Sequence, residues 1–220
     1  SREGTLTLYD VRGGGKIHEL RAGDVPDGFV APRFSPDGLR LVARGDGALH
    51  LWDFKTGKLL GRAEEMRGPF AYSSDGKQLA CWANDSVYLL DPATLKTLRT
   101  FKTSGSRGFA LAFSPDGKRL ALGGEYSTSI WDVATGKGQA VLKGHKEPIS
   151  NLAFSPVDRL LASGSSQGQV WKLWDLATQQ ELASFKTEEA IHPADPFVGP
   201  FSPDGKYLAV RQSRESVILW

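Results

Sequence analysis

The chain has 220 residues, with 27 Lys and Arg against 25 Asp and Glu, a net charge of +2 and a single cysteine, Cys81. Basic residues are scattered, so charge gives no ground for a nucleic-acid partner, and one cysteine excludes an internal disulfide framework and points to a reducing, cytoplasmic setting. No apolar stretch approaches the roughly 18 residues of a membrane-spanning helix, and no signal peptide is visible at Ser1, where the chain opens inside a strand pattern.

Two strands are expected first, at 5–9 and 16–20, joined by a turn through Gly13-Gly14-Gly15-Lys16. Next comes Phe34-Ser35-Pro36-Asp37-Gly38, a phrase that recurs from Tyr72, from Phe113, in degraded form from Phe154, and from Phe201. A period near forty residues means one supersecondary unit stacked on itself. Residues 108–142 show the unit. Ala110–Phe113 is a short apolar strand, Asp116-Gly117 a hairpin signal, and Arg119–Leu122 a second strand ending at Gly123-Gly124. Thr128–Trp131 is a β-branched and aromatic third strand. A turn ending in Gly136-Lys137 leads to a more polar fourth strand, Gln139–Leu142. Third strands elsewhere close on Leu8-Tyr9-Asp10, Leu51-Trp52-Asp53, Leu89-Leu90-Asp91, Leu173-Trp174-Asp175 and Leu219-Trp220.

Helical periodicity is absent, and proline or glycine interrupts every long window. The pattern predicts an all-β chain: a β-propeller of four-stranded antiparallel blades. The blades fall at about 24–63, 64–101, 102–142, 143–186 and 187–220, with a partial blade at 1–23. That is one strand more than five whole blades. It reads as part of a larger or incomplete ring, whose open rims would invite association, or as a five-bladed ring with a spare strand.

The Leu-Trp-Asp endings, Ile130-Trp131-Asp132, the Ser-Pro-Asp-Gly hairpins, the Gly-Lys turns and Gly144-His145 together resemble the WD-repeat family. The resemblance implies a hydrogen-bonded structural set within one blade, carried here by His145, Ser163 and Trp174. Ser166 and Gln167 occupy the loop where the family places an aspartate. The Ser-Pro-Asp-Gly-Lys style is also similar to periplasmic propellers of the TolB type.

Several motifs mimic chemistry. Gly164-Ser165-Ser166-Gln167-Gly168 matches a nucleophile elbow, but a strand follows where that motif needs a helix. Gly13–Lys16 lacks the upstream glycine, the Ser or Thr after lysine, and the helix of a phosphate loop. The Asp-Gly pairs point to separate places and so do not converge as calcium ligands. His18, His50, His145 and His192 show no zinc spacing. No catalytic residue, metal or cofactor is assigned. Two irregularities stand out. A residue added near Trp171 suggests a bulge that sends a tryptophan outward or into the next blade. The insertion from Lys186 to Gly199 reads as a functional or a merely variable loop.

The resemblance implies partner binding on the face that carries the loops before each first strand and after each second strand. That face would present Arg44, Arg67, Arg107, Glu125, Tyr126, Lys146, Glu147 and Arg211, with Phe70 and Phe109 at the channel mouth. Arginine with aromatics is interface chemistry. The expected function is a non-catalytic scaffold for a protein or peptide, beside a signalling domain of a larger chain. A propeller enzyme, or a TolB-like binding propeller, is the alternative, with its site in the central channel.

Overall fold

The computed structural model describes residues 4–23, 25, 28–103, 107–157, 159–165, 170–187, 201–211 and 217–219, with only the backbone of Arg211, Val217 and Ile218. Four complete blades are seen. The first holds β3 (Val30–Phe34), β4 (Arg40–Gly45), β5 (Ala48–Asp53) and β6 (Leu59–Ala63), and is preceded by a ribbon of β1 (Thr5–Tyr9) and β2 (Lys16–Arg21). The second holds β7 (Phe70–Tyr72), β8 (Leu79–Ala83), β9 (Ser86–Leu90) and β10 (Thr97–Lys102). The third holds β11 (Ala110–Phe113), β12 (Arg119–Gly123), β13 (Ser127–Asp132) and β14 (Gly138–Lys143). The fourth holds β15 (Ile149–Phe154), β16 (Leu160–Ser165), β17 (Val170–Asp175) and β18 (Gln180–Lys186). A last ribbon pairs β19 (Ala209–Arg211) with β20 (Val217–Leu219), and the expected strand before it is a single bridge, Phe201 to Leu208. Every blade is an antiparallel meander in chain order, as expected.

The middle strands explain the stacking. β4, β5, β8, β9 and β12 are nearly continuous buried runs, because both faces of each sheet are covered. Five apolar clusters fill the gaps between successive units. Leu20 meets Leu41 and Trp52 between the first ribbon and the first blade. Leu49 and Leu51 meet Leu79 and Cys81 at the next gap, and Leu89 and Phe101 meet Leu120 and Trp131 at the third. Ile130 and Leu142 meet Leu161 and Trp174, and Trp171 meets Leu208 and Val210. Cohesion therefore runs from neighbour to neighbour, as in other stacked repeats.

The recurring hairpin is built by its own side chains. Ser35 N donates to Arg40 O at 2.9 Å, Ser35 Oγ donates to Asp37 Oδ1, and Asp37 Oδ1 accepts from Leu39 N at 3.0 Å. Ser73 with Asp75, Ser114 with Asp116, and Ser202 with Asp204 repeat it. The glycine is needed for its torsion, with φ of 71° at Gly38 and 68° at Gly117.

The aspartate ending each third strand holds the next turn. Asp53 Oδ1 accepts from Thr56 N and Oγ1 at 2.7 and 2.8 Å, and Asp132 does the same with Thr135. Those bonds hold both carboxyls below their ordinary range. Gly13–Lys16 forms the same kind of turn, with Gly14 N on Asp10 O at 2.8 Å, and not a phosphate cradle.

The bulge expected at Trp171 is corrected. β16 and β17 pair without a shift from Leu160–Asp175 to Gly164–Trp171. The added length therefore falls between Ser165 and Val170, at residues 166–169, outside the described residues. A bulge does occur, but between third and fourth strands, in each of the five units whose fourth strand is described. Register shifts at Leu8/Tyr9, Leu51/Trp52, Ile130/Trp131, Leu173/Trp174 and Thr97/Arg99. The extra residues are Ile17, Leu60, Gln139, Leu182 and Leu98, and all five are exposed. Trp171 itself goes into the next gap, fully buried, its ring against Gly164 where a Cβ would come within 2.7 Å of it.

Candidate functional site

In a meander the loops before first strands and the hairpins after second strands share one face. Tight type I′ geometry builds two of these hairpins, with φ of 49° and 68° at Asp46-Gly47, and 46° and 57° at Asn84-Asp85. Thr103 N and Oγ1 both donate to Asp85 O at 2.9 Å, tying the second hairpin to the loop that follows its blade.

Arg44 and Arg67 come together, although they lie on different blades. They line a cleft of about 430 Å³ with Gly28, Val30, Gly45, Asp46 and Gly47. Arg44, at the end of β4, is half-buried and donates from Nη1 to Arg67 O at 2.9 Å and Gly68 O at 2.7 Å. Burial pulls its pKa below the ordinary guanidinium value. The Arg67 side chain lies over Gly47, so close that a Cβ there would sit 3.0 Å from its Nε. Asp46 is on the rim, but its Oδ2 accepts from Arg62 Nη2 at 3.0 Å.

Other expected residues are placed as follows. Arg107 stacks over the Phe109 ring at 5.5 Å, a cation–π pair at the entry to β11. Phe70 opens β7 and packs against the core between the first and second blades, which leaves it half-buried. Glu125 and Tyr126 form the exposed β12–β13 hairpin, with Tyr126 59% exposed. Lys146 is exposed and Glu147 half-buried, both just before β15. Arg211 lies in β19, with its side chain outside the described residues. Ser166, Gln167 and residues 188–200, including His192, also lie outside them.

The expected buried set is present. His145 Nε2 lies 2.7 Å from Ser163 Oγ, and Trp174 Nε1 donates to the same oxygen at 2.8 Å. Ser163 is fully buried and His145 only 6% exposed, so this serine–histidine pair meets no substrate and serves the blade. Nearby, the Lys172 ammonium donates to Glu181 Oε2 at 2.8 Å. Burial first, and the Lys172 charge second, push the His145 imidazole down to about 4. A histidine depressed on folding stabilises the fold above its unfolded pKa near 6.5 and loses that contribution as pH falls toward 4. Between pH 7 and pH 4.5 the chain is expected to lose on the order of 2 kcal/mol through this group alone. Urea unfolding of wild type and His145→Phe at both pH values checks it: the slope must be shallower in the variant.

Sequence reasoning missed two arrangements. Phe29 packs edge-on against both His50 and Trp52, with centroids at 5.1 Å, while His50 and Trp52 stack at 5.7 Å. Leu41 and Ala43, in the equivalent of the Ser163 strand, keep that site apolar apart from His50. The Arg44–Arg67 cleft was the other. Its only sequence signal was Arg44-Gly45-Asp46-Gly47, which reads as a hairpin and nothing more.

Stacked four-stranded meanders in chain order, with Ser-Asp hairpins and Trp-Asp turn starts, define a protein of the β-propeller class. A family model described as "WD domain, G-beta repeat" matches residues 136–175, from the turn of the third blade through β17. Pre-mRNA-processing factor 19 of Oryza sativa subsp. japonica is 31% identical over 107 residues, 47% of this chain and 20% of that relative. The match thus spans about a fifth of the relative's length. Residues 136–175 thus match one WD repeat, and the chain as a whole is similar to WD-repeat proteins. Repeats of this family serve in general as protein-interaction scaffolds and are in general non-catalytic. No helix among the described residues is long and apolar enough to cross a membrane.

Proposed function

We propose that this chain is a non-catalytic scaffold, the accessory module of a larger cytoplasmic signalling protein, which binds a protein or peptide on the face holding Arg44, Arg67, Arg107, Phe109 and Tyr126. The observation that carries the reading is that two arginines from neighbouring blades share one open cleft there. Arginines anchored by backbone and aromatic partners lose little freedom on binding, and such anchors dominate interface energetics. The Arg107–Phe109 stack and the exposed Tyr126 extend the same chemistry along the face.

Site-specific photo-crosslinking tests it. A crosslinker is placed at Tyr126, and in a second sample at Tyr207, which is also exposed but lies in the hairpin on the opposite face. A defined partner is expected from position 126 and not from 207. Arg107→Ala is expected to weaken its binding about tenfold, the size of an ordinary hot spot. Capture from position 207 alone, or substrate turnover without a stable partner, overturns the reading.

A further inference from the structure

We propose that the cleft between the first and second blades is a carboxylate-binding site, which takes an aspartate or glutamate side chain from an acidic segment of a partner protein. This rests on the scaffold reading above and gives it a chemistry. Arg44 spends Nη1 on Arg67 O and Gly68 O, so two carbonyls fix the plane of a half-buried guanidinium. Among the described residues, no carboxylate pairs with Arg44 or Arg67. Among the described residues, the rim acid Asp46 is held by a third arginine: Arg62 bonds Asp46 from Nη2 and Glu64 from Nε, each at 3.0 Å.

A guanidinium drawn partly out of water without a counter-ion carries a desolvation penalty that an anion relieves. A carboxylate also matches the forked donor geometry of arginine. Three glycines, Gly28, Gly45 and Gly47, line the cleft, so no side chains of their own fill that part of it. Its volume, about 430 Å³, is within the ~300–1,000 Å³ typical of pockets that hold a ligand group. Asp46 at the rim penalises a doubly charged phosphate more than a singly charged carboxylate. A nucleic-acid backbone would need an extended basic track, which a net charge of +2 with scattered lysines and arginines does not supply.

The test is fluorescence anisotropy with the full chain and four labelled probes. Three are Gly-Ser peptides carrying glutamates, glutamines or phosphoserines at the same positions, and the fourth is a single-stranded oligonucleotide. The glutamate peptide is expected to bind about tenfold more tightly than the glutamine peptide, as fits a charge-assisted pair. Arg67→Gln, at an exposed position, is expected to remove most of that difference without changing the circular dichroism spectrum. Lys77→Gln, 82% exposed on the opposite face, is expected to leave it unchanged. Equal binding of the two peptides, or an unaltered difference in Arg67→Gln, overturns the proposal. Tighter binding of the phosphopeptide or the oligonucleotide also overturns it. A crosslinked partner that is lost with Arg107→Ala but indifferent to Arg67→Gln removes the cleft while leaving the scaffold reading in place.

Discussion

Trp52→Ala is expected to cost about 4 kcal/mol, the range for emptying a fully buried tryptophan site. Trp52 has no exposed surface, donates from Nε1 to Arg21 O at 3.2 Å, and is boxed in by Phe29 and His50. Its loss opens a cavity between the first ribbon and the first blade, and also removes the indole donor from the Arg21 carbonyl at the end of β2. Because cohesion runs between neighbours, the damage should be local first. Hydrogen exchange is expected to show β1 and β2 losing protection before the third and fourth blades do. Urea unfolding gives the total. A loss under 1.5 kcal/mol, or uniform loss of protection, contradicts this account of the gap.

Gly68→Ala is expected to cost about 3 kcal/mol, toward the upper end for overpacking, and to lower Tm by about 6–12 °C. The reason is space and not torsion. A Cβ on Gly68 would lie 2.1 Å from Trp82 O and 2.7 Å from its ring, and backbone cannot give way there. Gly68 N donates to that same carbonyl at 3.1 Å, and Trp82 N returns a bond to Pro69 O at 3.0 Å. A Cβ on Gly108 would also meet the indole, at 2.6 Å from Cγ, so two glycines leave room for one tryptophan. Gly15→Ala is the control: nothing lies within 4 Å of a Cβ there, and a change within about 0.5 kcal/mol is expected. Differential scanning calorimetry of the pair decides the matter. Similar Tm values for the two variants would show that the second blade relaxes around Trp82.

What the sequence discloses follows the range of the interaction. Ser35, Asp37 and Gly38 make their turn with one another, so their chemistry is complete in the sequence. The same holds for Asp132 with Thr135, and for the Asn84-Asp85 hairpin. His145, Ser163 and Trp174 are farther apart, and they were legible only because a family resemblance supplied the pairing. The Arg44–Arg67 cleft has neither aid. Its two arginines meet because adjacent blades are rotated into register, and no local signal encodes that rotation. Trp171 shows the same limit: extra residues were visible, but whether they lay in the strand or in the hairpin is a question of pairing. Two turns after third strands, at 92–96 and 176–180, keep their left-handed residue without glycine, at Leu95 and Gln179, with φ of 58° and 60°.

The repeated misregister of the fourth strands has a consequence for how the molecule coexists with other copies of itself. Each outermost strand offers its unpaired amides and carbonyls to solvent, the arrangement from which cross-strand polymers grow. A growing ladder needs its spacing unbroken. Ile17, Leu60, Leu98, Gln139 and Leu182 each interrupt it near the start of the strand, where one residue too many faces one partner. An incoming strand would meet a kinked and over-twisted rim and could match only a few residues before falling out of step. Each perimeter thus carries a built-in obstacle to templating at the very place where Leu60, Leu98 and Leu182 are exposed.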